Sequence, residues 1–143
     1  MKRALLDVNA AVYLIDADSP SHDAVQRWWS DARNDGWHML FADPVIVGTL
    51  RVLGLPSYAG VDGTRQGAAW FDQVLALTDV RKIEASSGAY AWFRAMIDEM
   101  ELGGNDIPDA YLAGMAMDAG AALVTADRGF DRFPGLQVVD PTG

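Results

Sequence analysis

Ala4-Leu5-Leu6-Asp7-Val8-Asn9 and, far along the chain, Ala121-Ala122-Leu123-Val124-Thr125-Ala126-Asp127 are two apolar runs, each closed by an aspartate. Short apolar runs of this kind read as buried strands. If both are parallel strands of one sheet, Asp7 and Asp127 emerge at the same carboxyl edge, where open α/β sheets keep their sites. A third acidic segment, Asn105-Asp106-Ile107-Pro108-Asp109-Ala110, opens a helix-like stretch. Carboxylates gathered at one edge repel one another unless a proton or a cation neutralises them. All-oxygen ligands suit Mg²⁺ or Mn²⁺. The chain therefore points to a divalent-metal enzyme.

Working outward from these runs, strands alternate with helices. Residues 2–8 read as a buried strand and residues 9–16 as a short helix with Ala10, Ala11, Tyr13, Leu14 and Ile15 on its apolar face. Residues 21–35 form a second helix, stopped by Gly36, and 37–41 a short strand. Asp43-Pro44 opens a helix that runs to about Leu53, with the acid at the cap and proline in the first turn. Residues 55–63 carry Pro, Gly and Ser and read as the flexible segment. A helix over 64–77 follows, then a strand over 80–83. The long helix 87–102 has Tyr90, Phe93, Ile97 and Met100 along its face and ends at Gly103-Gly104. Residues 107–119 are helical, Gly120 stops them, and strands over 121–126 and 136–139 complete the pattern. Such alternation predicts α/β architecture with a parallel sheet.

Composition narrows the chemistry. One domain over residues 1–143 is the default at this length, and half of the residues are apolar, enough for a sizeable core. The chain has no cysteine, which excludes disulfides, thiolate zinc sites and a cysteine nucleophile. His22 and His38 lie far from the acidic segments and lack a ligand-like spacing, so a histidine zinc site is not expected. Lys2 and Arg3 before an apolar stretch resemble the start of a signal peptide, but Asp7, Asn9 and Asp16 interrupt it. No apolar run approaches the roughly 20 residues that span a bilayer. A soluble, cytoplasmic protein is expected. The net charge of −9 argues against indiscriminate phosphate binding. A local basic rim can still come from Arg51, Arg81, Lys82, Arg94, Arg128 and Arg132, although exposed charge is more often a solvated surface.

Each acid also has an ordinary explanation. Asp7 can cap the helix that follows it, Asp106 and Asp109 resemble a capping box around Pro108, and Asp127-Arg128-Gly129 can be a simple turn. Convergence of three segments on one edge is what caps do not require. Trp28, Trp29, Trp70 and Trp92 fall within helices, where such residues are mostly core or interface. Trp28 and Trp29 point about 100° apart and cannot both be buried against one thin core, which suggests a partner surface.

The segments Leu5-Leu6-Asp7-Val8-Asn9, Gly104-Asn105-Asp106-Ile107-Pro108-Asp109-Ala110-Tyr111-Leu112-Ala113 and Leu123-Val124-Thr125-Ala126-Asp127-Arg128-Gly129-Phe130 resemble, in order and over essentially the whole chain, the PIN-domain ribonucleases. More closely, they resemble VapC-type toxins of bacterial toxin–antitoxin pairs. Arg132-Phe133-Pro134-Gly135-Leu136 and Asp140-Pro141 fit the same pattern.

The resemblance implies a three-layer α/β/α sandwich with a mostly parallel central sheet and a Mg²⁺- or Mn²⁺-dependent endoribonuclease. It places Asp7, Asp109 and Asp127 at the metal-ligand positions and makes them the catalytic set. Asn9 and Thr125 fall where polar groups orient ligands or substrate, and Asp106 is placed to act through water. Arg51 and Arg128 are candidate substrate contacts. Implied partners are structured RNA such as transfer or ribosomal RNA, a cognate antitoxin whose basic side chain can enter the acidic pocket, and a second toxin copy.

One position departs from the family pattern: Gly48, in Val47-Gly48-Thr49-Leu50-Arg51, stands where many members carry a glutamate. Asp43 lies five residues earlier, about 140° away around a helix, and does not replace it. One firmly bound metal is then expected, with a second recruited by RNA. The same departure leaves open a non-catalytic RNA- or protein-binding module with a degenerate site. A haloacid-dehalogenase-like phosphatase fits poorly, since its acid would fall on Asn9. A receiver domain fits poorly because Lys2 and Lys82 are the only lysines.

Overall fold

The computed structural model describes residues 2–143. Among them, five strands form one parallel sheet in the order β3-β2-β1-β4-β5. In chain order the elements are β1 Arg3–Leu6, α1 Val8–Ile15, α2 His22–Asn34, β2 His38–Ala42, α3 Asp43–Leu53, α4 Gly60–Val74, β3 Val80–Ile83, α5 Ser87–Glu99, α6 Asp106–Asp118, β4 Ala122–Val124 and β5 Val138–Val139. A 3₁₀ turn spans Arg128–Arg132. No helix among the described residues is long and apolar enough to cross a membrane.

The strand order dictates the layers. From β1 to β2 and from β2 to β3 the chain steps in one direction, so right-handed crossovers place α1–α4 on one face of the sheet. From β3 to β4 it steps back, which places α5 and α6 on the other. The helix contacts divide accordingly, α1 with α2, α3 and α4, and α5 with α6. Covered on both faces, β1 buries Ala4, Leu5 and Leu6 completely, and β4 does the same with Leu123 and Val124. That is why these segments read as unbroken apolar runs rather than alternating ones.

Local chemistry explains the boundaries. Gly120 ends α6 at φ 61°, and Gly36 follows α2 at φ 87°, conformations that a side chain disfavours. Close approach explains two others. A Cβ on Gly114 would stand 2.9 Å from the Ala89 carbonyl oxygen of α5, and one on Gly67 2.8 Å from both Leu50 and Leu53 of α3. Arg33 grips Asp79 through Nε at 2.7 Å and Nη2 at 3.0 Å. This contact ties the end of α2 to the turn before β3 and holds the Asp79 carboxyl below its ordinary range.

Several expectations change. Ala42, not Asp43, is the residue capping α3; Asp43 is the first helical residue and pairs with Lys82 at 3.1 Å. The segment read as flexible is a hydrogen-bonded turn in which Leu55 accepts from Tyr58 and Gly60 at 2.9 and 3.1 Å. Helix α4 starts at its end, at Gly60, because acceptors within the turn satisfy the amides that Gly60 and Gly63 would otherwise leave open. On α5 Ala89 and Met96 are buried and Phe93 packs against the core half-buried, whereas Tyr90, Trp92 and Ile97 are exposed. The tryptophan pair divides as the helix geometry requires: Trp29 is buried and Trp28 half-buried.

Trp29, Phe41, Trp70 and Phe71 form one aromatic cluster, with ring centroids 5.2 to 6.2 Å apart. Phe41, fully buried on β2, touches the other three. Phe41→Ala is expected to destabilise the protein by about 3–5 kcal/mol, read as a lower urea midpoint. A loss below about 1 kcal/mol would show that the cluster does not anchor the α1–α4 layer.

Candidate active site

Because β1 and β4 are neighbours whose outgoing connections lie on opposite faces, the crevice beyond their carboxyl ends is the topological switch point of the sheet. Asp7 leaves β1 there and Thr125 to Asp127 leave β4. Asp7 also caps α1: its Oδ1 accepts from the Val8 amide at 2.7 Å. Asp127 caps the 3₁₀ turn in the same manner, accepting from Gly129 at 2.8 Å. The capping reading and the functional reading are thus compatible, since each cap leaves its second oxygen for other work.

A small network connects the two strand ends. Thr125, fully buried, donates to Asp7 Oδ2 at 2.8 Å and accepts from Asn9 Nδ2 and the Asp127 amide, both at 3.0 Å. Asn9 Oδ1 accepts in turn from the Ala126 amide at 3.1 Å. Asn9 and Thr125 therefore tie Asp7 to the end of β4.

From α6, Asp109 approaches closely enough that its charge, together with that of Asp127, raises the Asp7 carboxyl above its ordinary pKa. Burial is the larger cause, and the hydrogen bonds from Thr125 and Val8 oppose it. The expectation that these acids share one neighbourhood agrees with this coupling. They do not close into a cage: among the described residues no three His, Asp or Glu side chains are grouped as metal ligands. Instead, each carboxylate turns toward a donor within the chain.

Arg132 supplies the donor for α6. Its Nη2 lies 3.1 Å from Asp106 Oδ1 and 3.2 Å from Asp109 Oδ2, Nη1 donates to the Gly129 carbonyl, and the guanidinium rests 4.4 Å over the Phe133 ring. The sequence marked this residue as part of a basic rim and of a segment that fits the family pattern; its reach across to α6 carries no local signal. The cap of α6 is Asn105, not Asp106; Asp106 is the first helical residue and accepts from the Gly103 amide in the preceding turn at 3.2 Å. The donor chemistry fits a hard divalent cation: the acids offer only oxygens, and a buried carboxylate beside like charges is what such a cation neutralises.

Of the two substrate-contact candidates, Arg128 is paired with Asp131 at 2.7 Å. Arg51 forms no ion pair among the described residues and lies one helical turn beyond Gly48 on α3. Gly48 itself faces α1, and a Cβ there would stand 2.9 Å from Val8 Cγ2, so Val8 fills the space beside Asp7 that a larger residue would need.

Residues 4–136 match the family described as "PIN domain". Ribonuclease VapC43 of Mycobacterium tuberculosis is 31% identical over 134 residues, covering 92% of this chain and 90% of that protein. Among solved structures, VapBC2 from Rickettsia felis, bound to a DNA fragment from its promoter, superposes with a TM-score of 0.70 at 18% identity, covering 96% and 97% of the two chains. Mycobacterium tuberculosis VapC20, described as a Sarcin-Ricin loop cleaving toxin, gives 0.64 at 16% identity, covering 91% and 95%.

Two predictions follow from this geometry. A raised Asp7 pKa means that the folded chain keeps this proton to higher pH than the unfolded chain. Its stabilisation is complete below the ordinary value near 3.8 and is lost as pH rises through the folded value. In EDTA, wild type should therefore lose stability relative to Asp7→Asn between about pH 4 and neutrality; parallel urea midpoints across that range would refute the coupling. Gly48→Ala should be near neutral, because a helix-propensity gain of about 1 kcal/mol is offset by the Val8 contact. In a Val8→Ala background the same change should stabilise by about 1 kcal/mol. An equal effect in both backgrounds would show that Val8 does not limit position 48.

Proposed function

The chain belongs to the PIN-domain family, and from that premise we propose that it is an endoribonuclease acting as the toxin of a toxin–antitoxin pair. The observation that carries this reading is the site itself. Asp7 and Asp127 meet at the switch point of a parallel sheet, joined by Asn9 and Thr125, and Asp109 lies close enough to raise the Asp7 pKa. Relatives named VapC ribonucleases and a fold shared with a Sarcin-Ricin loop cleaving toxin support RNA as the substrate. VapBC neighbours support a small protein antitoxin as partner.

Asp7, Asp109 and Asp127 would hold a divalent cation, Mg²⁺ or Mn²⁺. When bound, it supplies Lewis-acid polarisation of the scissile phosphate. The rest of the mechanism belongs to the chain. Thr125, shielded from water, fixes the Asp7 carboxylate through Oδ2, and Asn9 keeps the β4 end from moving away. Asp106, joined to Asp109 through Arg132, would hold a water and accept its proton as the water oxygen bonds to phosphorus, while the bond to the leaving ribose oxygen breaks and that oxygen takes a proton from solvent. Arg132, already within the acid group, can turn to a phosphate oxygen when substrate arrives, and Arg51 offers a second cation from α3. No histidine, serine or cysteine nucleophile is required.

Purified protein freed of antitoxin, incubated with total cellular RNA and Mg²⁺ or Mn²⁺, should yield discrete fragments that vanish with EDTA and in Asp109→Asn. Thr125→Ala and Asn9→Ala should reduce cleavage about 10–100-fold, as loss of ligand-orienting partners does. Intact RNA with wild type, or normal cutting by Asp109→Asn, would overturn the site assignment. The first result would favour a binding module, with Gly48 marking the lost acid.

A further inference from the structure

Beside the acids, on the α1 side, lies a cavity of about 300 Å³ that the hydrolytic chemistry does not use. Asp7 and Asn9 form its inner end, Val8, Val12 and Val52 line it, and Tyr13 and Tyr58 complete it. Its size is at the lower end of the range for small-ligand sites. Tyr58 also borders a second cavity of about 330 Å³, whose rim carries Asp16, Asp18, Ser57 and Gln66. Tyr58 thus borders both a mostly apolar chamber that includes Asp7 and a more polar one.

We infer that the apolar chamber receives the unstacked nucleobase adjacent to the scissile phosphate, with Tyr58 as its stacking wall. The inference rests on the ribonuclease reading above and adds a recognition element to it. Three observations select this occupant. The chamber shares Asp7 and Asn9 with the site of cleavage, so whatever fills it is covalently next to the reacting phosphate. Apart from Asp7 its lining is uncharged, and the neighbouring cavity that shares Tyr58 carries Asp16 and Asp18, so the charged backbone is repelled and the neutral, flat part of a nucleotide is accepted. The wall also has a fixed base: the Tyr58 amide donates to the Leu55 carbonyl at 2.9 Å, which anchors its main chain, while the side chain is 45% exposed and open to a ligand. Bases splayed from RNA loops are commonly read by stacking on such side chains.

The test uses the full chain and an RNA oligonucleotide spanning the cut identified with total RNA. Binding is measured by anisotropy in Mg²⁺ with Asp109→Asn protein, so that the RNA stays intact, and cleavage is measured separately with Asp109 restored. Tyr58→Ala should weaken binding about 5- to 150-fold, the range for one stacked base, whereas Tyr58→Phe should remain within about threefold of Tyr58, since it keeps the ring. An RNA abasic beside the cut should lose the same factor with Tyr58 and nothing further with Tyr58→Ala. Unchanged binding by Tyr58→Ala, or losses that multiply when the abasic RNA and Tyr58→Ala are combined, would overturn the subsite while leaving the ribonuclease reading intact. If Tyr58→Ala instead weakens only binding of a protein partner, the chamber is a peptide site and the inference fails. Absence of any cutting by wild type would overturn both.

Discussion

The hydroxyl of Thr125 has no spare bonding capacity. It donates to Asp7 Oδ2 at 2.8 Å and accepts from Asn9 and from the Asp127 amide at 3.0 Å, which accounts for its one donor and two acceptor positions. Parallel pairing of β1 with β4 brings the two strand ends side by side, but pairing alone does not aim their side chains. The hydroxyl does, by making the position of Asp127 depend on that of Asp7. Valine has nearly the same shape and would leave the Asp127 amide without a partner and Asp7 Oδ2 with only the long bond from Asn9 at 3.4 Å. Such a loss costs more than the bonds themselves contribute. The site is therefore specified by a residue that never needs to touch the substrate.

This arrangement works against folding. A half-buried carboxylate with two others nearby is held in its charged form at a cost, as the raised pKa of Asp7 records. The chain offsets part of that cost with internal donors: Val8 and Thr125 for Asp7, Gly129 for Asp127, and Arg132 for Asp106 and Asp109. Arg132 is about one-third exposed, so its ion pairs are screened and easily exchanged. A weak internal cation suits this place. It moderates repulsion among the acids while remaining readily exchangeable.

Much of this was legible in the sequence because the deciding signals are local. The apolar runs before Asp7 and Asp127, the glycine stops at Gly36 and Gly120, and the acids opening α6 each announce an element within a few residues. What was not legible depends on distance through space. Arg132 sits four residues past Arg128 and looks equally exposed in the sequence, yet one reaches α6 and the other pairs with Asp131. Tyr90 and Trp92 have the composition of a buried face, but the closeness of Gly114 on α6 rotates α5 so that Ala89 and Met96 take the core positions. Residues 55–63 contain turn formers that suggest mobility, and only the Leu55 carbonyl, satisfied twice, reveals a closed turn leading into α4. Gly48 reads from sequence as a missing acid, whereas in three dimensions Val8 already occupies its space.

The charge balance bears on how such a protein selects RNA. Of its eleven Lys and Arg residues, Lys2, Arg33, Lys82, Arg94, Arg128 and Arg132 are engaged in ion pairs. With a net charge of −9 the surface offers few cations to release condensed counterions from a phosphate backbone, and that release is the main source of sequence-independent affinity. A chain built in this way binds arbitrary RNA weakly. Its discrimination must then come from shape and from uncharged contacts to bases already out of the stack, since those are the terms that remain when electrostatic attraction is small. Poor general affinity therefore favours selectivity: the less the backbone contributes, the larger the fraction of binding energy that depends on which bases stand beside the cut.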